Sequence, residues 1–582
     1  MKLRLKDIFP ILEWLPNYNK SWLKGDLSAG LTVGVMLIPQ GMAYASIAGL
    51  PAVYGLYASI IPLIIYAILG TSRQLAVGPV AMVSLLTATA ISSFGNISTE
   101  EYILYAILLA FLVGAIQFLL GIFRLGFLVN FLSHPVVSGF TSAAALIIGL
   151  SQLKDLLGIK IPRSHHINEI LVNSYHKIDD INWISLLIGL IGILIIISVK
   201  KLNKSLPSQL FAVIFGILAV TFFTLDKGEN AVSIIGNIQS SLPKLSIPTL
   251  EMTKINALLP MALTIALVSF MESIAVAKAI QSKHRNYKVL PNQELISLGL
   301  ANVFGSFFQS FPTTGGFSRT AVNDQAGAKT GLAGIISALL ILVTLLFLTP
   351  FFHNLPKSIL ASVIMVAVFG LIDYKEVIHL WKSNRTDFFL LLITFLATLT
   401  IGIEKGIGLG VIVSLALVIF KTTRPHVAVL AKIPGTHFYR NVERFEGTLK
   451  PKEDILIVRF DAQLYFANTT FFKDKLEELV IEKGEKLKLI IIDGESMNNL
   501  DSSGVHALLE VIDTYKAKGI EIAFSGIKGP VRDAMYLGGV IDKINFNQCF
   551  MSIQEAVDCF EASCNKEFKE SKFEDFIKQT NR

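Results

Sequence analysis

The sequence predicts a polytopic α-helical membrane protein built from two similar halves, followed by a small soluble α/β domain. Three observations predict this fold class. Hydrophobic residues make up 52% of the 582-residue chain and charged residues only 16%, whereas a soluble protein carries about a quarter charged residues. Apolar runs long enough to cross a bilayer recur from about residue 27 to residue 421 and then stop. Each half also contains one short apolar segment that is interrupted by glycine and proline.

The N-terminal segment predicts which side of the membrane the chain ends occupy. Residues 1–26 contain no cleavable apolar core and hold five basic residues, which favour the cytoplasmic side. We therefore expect a cytosolic segment 1–26, a transmembrane region 27–424 and a cytosolic domain 425–582, in a plasma or inner cell membrane. The net charge of +7 then reflects topology and attraction to the lipid surface, and no nucleic-acid partner is expected.

The first half predicts seven membrane segments. Apolar runs at 27–48 and 54–69 are followed by a polar strip at 71–74 and by Gly78 and Pro79. The run from Val80 to about residue 91 is too short to span about 30 Å of hydrocarbon, so it predicts a half-helix with Pro79 at its first position. Four further spans are predicted at roughly 102–123, 132–150, 183–199 and 207–225.

The second half repeats this pattern. Its predicted segments lie at 258–280, near 294–308, at the break 312–319, and then at 331–349, 357–371, 387–403 and 406–420. The two halves together give fourteen segments. A matched pair of interrupted helices indicates a transporter made of inverted repeats, in which the substrate lies where the two half-helix N-termini meet.

The second break, residues 311–323, is the strongest candidate for a binding site. Pro312, Gly315 and Gly316 interrupt the incoming helix, and Ser318 is predicted to cap a new one. A helix that begins inside the membrane directs its free N–H groups and its positive dipole end at the site, and Arg319 adds a full positive charge, so an anion is expected there. A simple kink at the first break and a snorkelling Arg319 are the alternatives, and two matched breaks argue against both.

Glu272 is the only carboxylate between residues 258 and 280. A carboxylate inside a membrane span is costly and indicates function. It suits two roles, a proton carrier for symport or a ligand for Na⁺. A structural ion pair with Lys278 or Arg319 is the alternative, and Arg319 is the preferred partner because Lys278 lies six residues on and off the Glu272 face.

Four weaker candidates accompany Arg319. Gln40 and Tyr44 are four residues apart and share a helix face, so both can line one cavity. Val80 and Ser318 begin the two predicted half-helices. For Tyr44 and Val80, ordinary packing is an equal alternative.

The C-terminal tail predicts a small α/β domain. Strands are expected at 455–460, 487–492 and 520–524, and helices near 469–483, 502–518, 529–537 and 552–562. Asp501 or Ser502 is a natural N-cap, which explains the motif without the phosphorylation that Ser502 also permits. The tail has no nucleotide-binding glycine loop, and its three cysteines lack metal-ligand spacing. No cofactor, metal or enzymatic activity is expected, since the chain offers no nucleophile–base set.

Several motifs resemble those of one family. Residues 49–57, 70–73 and 78–79 resemble the signature of the SulP sulfate permease family, and residues 313–323 with 327–330 are similar to its plant and bacterial sulfate transporters. The tail, with residues 501–504, resembles the STAS domain. The chain is identified as a member of this family on motifs that cover nearly its whole length.

The resemblance implies a seven-plus-seven inverted repeat divided into a core and a gate domain, with a cytosolic STAS domain that supports homodimerisation. It places the anion between the third and tenth helix N-termini and implies an elevator-like motion of core against gate. An acidic residue matching Glu272 is usual in proton- or sodium-coupled members, which favours symport over exchange. The predicted substrate site comprises Gln40, Tyr44, Val80, Gly316, Phe317, Ser318 and Arg319.

The leading functional hypothesis is proton-coupled uptake of an inorganic oxyanion, and sulfate is the preferred substrate. H⁺ is the coupling ion, and Glu272 carries it. Sodium-coupled uptake of bicarbonate or a dicarboxylate is the alternative within symport. An anion exchanger or channel, or a membrane sensor that signals through the tail, belongs to a different class. Flux without a coupling ion and insensitive to Glu272→Gln would favour the channel.

Overall fold

The computed structural model describes residues 9–95, 97–127, 133–159, 167–202, 206–228, 230–238, 241–284, 287–445, 449–544 and 548–562. The chain divides into two compact units, Met1–Ser414 and Leu415–Arg582, and each is considered by itself. The predicted domain limits at residues 26 and 424, and the division into core and gate, stay predictions.

The first half of the membrane unit contains seven membrane segments in its described residues. A short helix precedes them, the second segment is a broken pair, and the third is a half-helix entered from a two-residue strand. The elements are α1 (Ile11–Trp14), α2 (Lys20–Ala48), α3 (Val53–Tyr57), α4 (Ile61–Leu69), β1 (Val77–Gly78), α5 (Ala81–Ser92), α6 (Thr99–Ile122), α7 (His134–Ser151), α8 (Leu153–Leu157), α9 (Ile167–His176), a 3-10 turn (Ile178–Asp180), α10 (Trp183–Leu202) and α11 (Ser208–Phe223).

The second half repeats this order, again with a half-helix after a two-residue strand in third place. One segment ends in a π turn and a 3-10 turn, and a short helix separates the fifth segment from the sixth. The elements are α12 (Met252–His284), α13 (Pro291–Phe307), β2 (Thr314–Gly315), α14 (Phe317–Gln325), α15 (Leu332–Val343) with Thr344–Leu348 and Thr349–Phe352, α16 (Lys357–Phe369), α17 (Tyr374–Ser383), α18 (Arg385–Ile401) and α19 (Ile403–Thr423).

Helix length separates the spanning segments from the broken ones. Within the described ranges, eight helices are long and apolar enough to cross a membrane, and three apolar helices are shorter. The nine residues of α14 extend about 14 Å, half of the hydrocarbon thickness. Together with α13, α14 and α18, these eleven helices give the fourteen segments of the seven-plus-seven arrangement that the sequence predicted.

The first helix begins earlier than predicted because a buried carboxylate stabilises its polar start. α2 begins at Lys20, seven residues before the expected apolar run. Asp26 is fully buried in its second turn and accepts hydrogen bonds from the backbone N–H groups of Lys329 and Thr330, at 2.6 and 3.0 Å. A buried carboxylate bonded in this way is compatible with the protein interior, so the helix extends through a polar stretch that hydropathy excludes.

Close backbone contact joins α6 and α13. A Cβ atom added at Gly299 would lie 2.5 Å from the backbone nitrogen of Phe118 and 2.8 Å from the carbonyl oxygen of Gly114. Gly114 in turn has no room for a side chain, because its Cβ would lie 2.6 Å from the carbonyl oxygen of Gly299. Small residues allow membrane helices to approach this closely and to pack by van der Waals contact.

The C-terminal unit is built on a six-stranded sheet in the order β4-β3-β5-β6-β7-β8, in which β5 to β8 are parallel and β3 and β4 antiparallel. Helices alternate with the parallel strands and cover the two faces of the sheet. The elements are β3 (Val427–Lys432), β4 (Tyr439–Asn441), β5 (Ile455–Phe460), α20 (Thr469–Lys483), β6 (Leu489–Asp493), α21 (Ser502–Ala517), β7 (Glu521–Ser525), α22 (Gly529–Leu537), α23 (Val540–Ile544), β8 (Cys549–Phe550) and α24 (Ile553–Glu561).

The structure resolves which residue caps α21. The Asp501 side chain is the N-cap and accepts a hydrogen bond from the Gly504 N–H at 2.8 Å. Ser502 follows as the first helical residue with an exposed side chain. Its suggested phosphorylation stays a prediction.

We predict that Gly299→Ala destabilises the membrane unit by about 1–3 kcal/mol, because its Cβ meets the backbone of α6 and the helices must separate. Gly408→Ala is the matched control, since this glycine also lies within a helix but has open space around its Cβ position. Thermal unfolding of the purified protein in detergent measures the difference. An equal effect of the two substitutions would contradict the close contact.

Candidate functional site

The two broken helices meet at their breaks. Strands β1 and β2 form an antiparallel pair in which Val77 faces Gly315 and Gly78 faces Thr314. Each half-helix begins directly after its strand, α5 with Val80 as N-cap and α14 with Gly316 as N-cap. The strand pair therefore fixes the positions of both helix N-termini relative to each other.

Neither N-terminus is capped by a side chain. The first N–H groups of a helix have no partner within the helix, and they carry the positive end of its dipole. The predictions that Ser318 caps α14 and that Pro79 is the first residue of α5 are wrong by two residues each. Ser318 is the second helical residue, and Pro79 precedes the N-cap, because the strand pair extends both peptides up to Val80 and Gly316.

Arg319 lies across both breaks. Its side chain is only 2% exposed, and its Nη1 donates to the carbonyl oxygen of Pro79 at 2.6 Å. The guanidinium packs against two glycines. A Cβ at Gly316 would lie 2.8 Å from Cζ, whereas the Cβ position of Gly78, which has a φ of +155°, is at an ordinary contact distance of 3.4 Å from Nη2. Arg319 thus connects the second half-helix to the first break.

Two donors of this guanidinium are unused. The Nε and Nη2 atoms of Arg319 are buried and have no hydrogen-bond partner in the part of the chain that the structure describes. An unsatisfied buried donor costs about 1–3 kcal/mol, and more when it is charged. An anion bound against these atoms and the two helix N-termini would remove that cost, so the arrangement suits an anionic ligand.

Tyr44 and Glu272 complete the electrostatic surroundings of Arg319. The guanidinium interacts electrostatically with both side chains, and they interact with each other. Tyr44 is 7% exposed, whereas Glu272 is partly exposed. No ion pair joins Glu272 to Arg319 or to Lys278 among the described residues, so the structural ion pair weighed from the sequence is not formed here.

The remaining predicted residues differ in their surroundings. Gln40 is 2% exposed, and its Oε1 atom has no partner in the described ranges. Val80 is buried as the N-cap of α5. Phe317 is 62% exposed, and Ser318 is exposed beside it, so the first turn of α14 is the accessible part of the site.

A polar network that the sequence analysis missed holds the second break in place. Asn302 on α13 binds Thr313 three times: its Oδ1 accepts from the Thr313 N–H at 2.7 Å and from the Thr313 hydroxyl at 3.1 Å, and its amide donates to the Thr313 carbonyl oxygen at 3.0 Å. Ser273 on α12 accepts from the Gly315 N–H at 2.8 Å. The sequence did contain a signal for these two residues, namely their polarity. Polar side chains on otherwise apolar membrane helices are costly unless they bind a partner.

The second half also satisfies the first break. The Ala76 N–H donates to the Thr320 hydroxyl at 3.0 Å, and the Ala76 carbonyl accepts from the Gly316 N–H at 3.0 Å. The Asn323 amide donates to the carbonyl oxygen of Gln74 at 2.8 Å. No group of three or more metal-ligating side chains was found in the described ranges.

The chain resembles known proteins over nearly its whole length. Residues 23–394 match the sulfate permease family and residues 448–556 match the STAS domain. The chain is 40% identical over 574 residues to "Sulfate transporter 4.1, chloroplastic" of Arabidopsis thaliana, covering 96% of this chain and 83% of that protein. It is 33% identical over 578 residues to "High affinity sulfate transporter 2" of Stylosanthes hamata, covering 95% and 86%.

Solved structures show the same fold. Murine Solute Carrier 26 family member A9, an anion transporter in the inward-facing state, superposes with a TM-score of 0.88 at 28% identity, covering 97% of this chain and 95% of that one. The transmembrane domain of a cyanobacterial bicarbonate transporter, BicA, superposes with a TM-score of 0.58 at 23% identity over 68% of this chain and 97% of that domain, which concerns the fold alone. The predicted inverted repeat with a C-terminal STAS domain is confirmed, and the chain belongs to the sulfate permease family, whose members are multi-pass membrane transporters of anions.

Proposed function

We propose that this chain is a secondary active transporter that takes up an inorganic oxyanion, sulfate, together with a proton. The observation that carries the proposal is the buried Arg319 guanidinium, which keeps two unused donors beside two uncapped helix N-termini. A tetrahedral dianion has acceptor atoms on every side and can use donors that converge from several directions. The names of the two plant relatives, both sulfate transporters, support sulfate as the substrate.

Glu272 supports proton coupling by its charge. Its carboxylate interacts with the same guanidinium that we assign to the anion, yet forms no ion pair with it among the described residues. A negative carboxylate repels a dianion at this site, and a neutral carboxyl does not. Anion binding and protonation of Glu272 therefore favour each other, because coupling between two sites is reciprocal. This mutual dependence is the requirement for symport.

The remaining parts of the proposal concern assembly and orientation. We infer that both termini are cytoplasmic in a plasma or inner cell membrane, since the first 26 residues carry five basic side chains and charge bias sets orientation. We infer a homodimer supported by the STAS domain, and an elevator-like motion of core against gate. The broken helices suit such a motion because β1 and β2 join the two halves of the site into one body. No catalytic step is part of this function.

We predict that Arg319→Ala weakens sulfate binding at least tenfold, because it removes the charge and both free donors, whereas Arg319→Lys restores part of the affinity through its charge. Lys278→Gln is the control, since it removes an exposed cation from the helix that carries Glu272. Isothermal titration of the purified protein with sulfate gives the affinities. Wild-type affinity in Arg319→Ala would rule out this site.

We predict that Glu272→Gln abolishes sulfate uptake driven by an inward proton gradient, because glutamine keeps the shape of the side chain but cannot exchange a proton. Exchange of labelled for unlabelled sulfate at equilibrium should persist, since binding at Arg319 is intact. Both fluxes are measured in proteoliposomes, in parallel with an inward sodium gradient.

The same assay separates the alternatives. Uptake driven by the sodium gradient and not by the proton gradient would show that Na⁺ is the coupling ion. Transport of bicarbonate or a dicarboxylate instead of sulfate would show that the substrate is different. Sulfate flux indifferent to both gradients and to Glu272→Gln would indicate an exchanger or a channel.

We predict that Asn302→Ala lowers sulfate affinity about tenfold while the fold is retained, because Thr313 loses its three bonds to Asn302 and the second break can relax. Ser306→Ala is the matched control one turn along α13, where the hydroxyl binds only the Val303 carbonyl of its own helix. Sulfate titration and circular dichroism of both variants measure binding and folding. Equal affinity in the two variants would show that the network does not position the site.

A further inference from the structure

A second space, whose lining does not include Arg319, lies in the membrane unit. A cavity of about 880 Å³ opens where α2 ends, at the opposite end of the membrane unit from its start at Lys20. Its walls come from the last turns of α2, α5 and α7, the first turns of α16, and the segment that connects the two halves. These walls include Ser46, Ile47, Ser92, Ser151, Asn237 and Ser241.

The charge of this cavity is predominantly positive. Lys154, Lys244 and Lys357 line it, and Asp155 is the single acidic side chain among its described lining residues. Lys244 and Lys357 are exposed and take part in no ion pair with another described residue. Like charges that line one concave wall reinforce each other and raise the local concentration of counter-ions.

Lys357 and Lys244 belong to different elements of the membrane unit. Lys357 is the first residue of α16, and its N–H donates to the Ser233 carbonyl at 2.9 Å. Lys244 lies on the same connecting segment, where its N–H donates to the Oε1 atom of Gln309 at 3.2 Å. Tyr57 binds Ser241 between them, with the phenol oxygen 2.9 Å from the Ser241 hydroxyl. These bonds hold the backbone of both lysines at the cavity wall.

The floor of the cavity is apolar and lies close to the anion site. Leu85, Ala88, Leu360 and Ile364 line it. Leu85 is four residues after Ala81, the first residue of α5, so it lies about 6 Å along the helix axis from that N-terminus. The part of the cavity at Leu85 is therefore about one helical turn from the half-helix start, and apolar side chains line it.

We propose that this cavity is a collecting site for inorganic oxyanions, in which Lys244 and Lys357 concentrate the anion before it passes the apolar floor to Arg319. Its volume is at the upper end of ligand pockets, about 300–1,000 Å³, and greatly exceeds one oxyanion. The site therefore holds hydrated ions weakly and increases their rate of arrival. This inference rests on the proposed function for the step from the cavity to Arg319, but the accumulation of anions in the cavity can be measured without transport.

The first experiment measures the charge of the cavity. Ser92 lines it and is exposed at the end of α5, so Ser92→Cys introduces a thiol there, in the full chain with its three tail cysteines replaced by serine. We compare its modification rates with a sulfonatoethyl and a trimethylammonioethyl methanethiosulfonate. The anionic-to-cationic rate ratio should fall about threefold to tenfold when Lys244→Gln and Lys357→Gln are added, as expected for two charges at this range. Lys→Arg at both positions should keep the ratio.

Sulfate protection tests binding of the anion itself. Sulfate should slow modification by the anionic reagent when the lysines are present and should have little effect in the double glutamine variant. An unchanged rate ratio, or equal protection in both chains, would overturn the proposal. Protection by vesicles of anionic lipid but not by sulfate would also overturn it, because the lysines would then bind lipid headgroups.

The second experiment connects the cavity to uptake. The double glutamine variant should raise the KM for sulfate several-fold at low ionic strength, and the difference should disappear at high ionic strength with kcat unchanged. A lowered kcat with unchanged KM would contradict a collecting role. If the wild-type chain does not carry sulfate, the proposed function fails, while the rate ratio and the protection still decide whether the cavity collects anions.

Discussion

The structure depends on one constraint, that a backbone broken at membrane depth must find its hydrogen-bond partners within the protein. Lipid offers none, and each orphaned group costs several kcal/mol. The chain meets this constraint by pairing its two breaks with each other, through β1 and β2 and through the reciprocal bonds of Ala76 with Thr320 and Gly316. Each break satisfies backbone groups of the other, so the candidate site depends on the pairing of the two repeats.

Buried carboxylates apply the same solution to the loops beside the breaks. Glu294 is fully buried and accepts from the Thr71 N–H at 2.7 Å and from the Ser72 N–H at 3.2 Å. Asp26 accepts from the N–H groups of Lys329 and Thr330 in a loop of the other half. The loop at Thr71 leads into the first break, and the loop at Lys329 follows the second half-helix. These loops contain the stretches 70–73 and 327–330 on which the family resemblance rested, so those motifs have a structural reason: they supply N–H groups that stabilise a buried carboxylate.

The sequence predicted the spanning helices and the two helix breaks because hydropathy and helix breakers are local signals. It predicted helix α20 and strand β5 to the residue, since a continuous apolar strand and an amphipathic helix need no partner to be recognised. It missed β3, β4 and β8, which are strands only because the sheet extends to pair with them. It also missed Asn302 and Ser273, because their hydrogen-bond partners lie on a different segment of the chain. The N-caps were misplaced for the same reason, because pairing between the halves decides where each helix starts.

Arg319 is the charged exception within the membrane unit. The buried carboxylates and the backbone N–H groups described above have partners, and the other buried atoms without one in the described residues belong mostly to neutral side chains such as Gln40 and Ser72, whereas the guanidinium keeps Nε and Nη2 without a partner. Sites that break a local rule while their surroundings obey it are expected to be functional. Gly316 leaves room for the guanidinium, and the bond from Nη1 to the Pro79 carbonyl holds it at the breaks. The proposed anion site rests on this uncompensated charge, because a bound anion would supply the partner that the described residues do not.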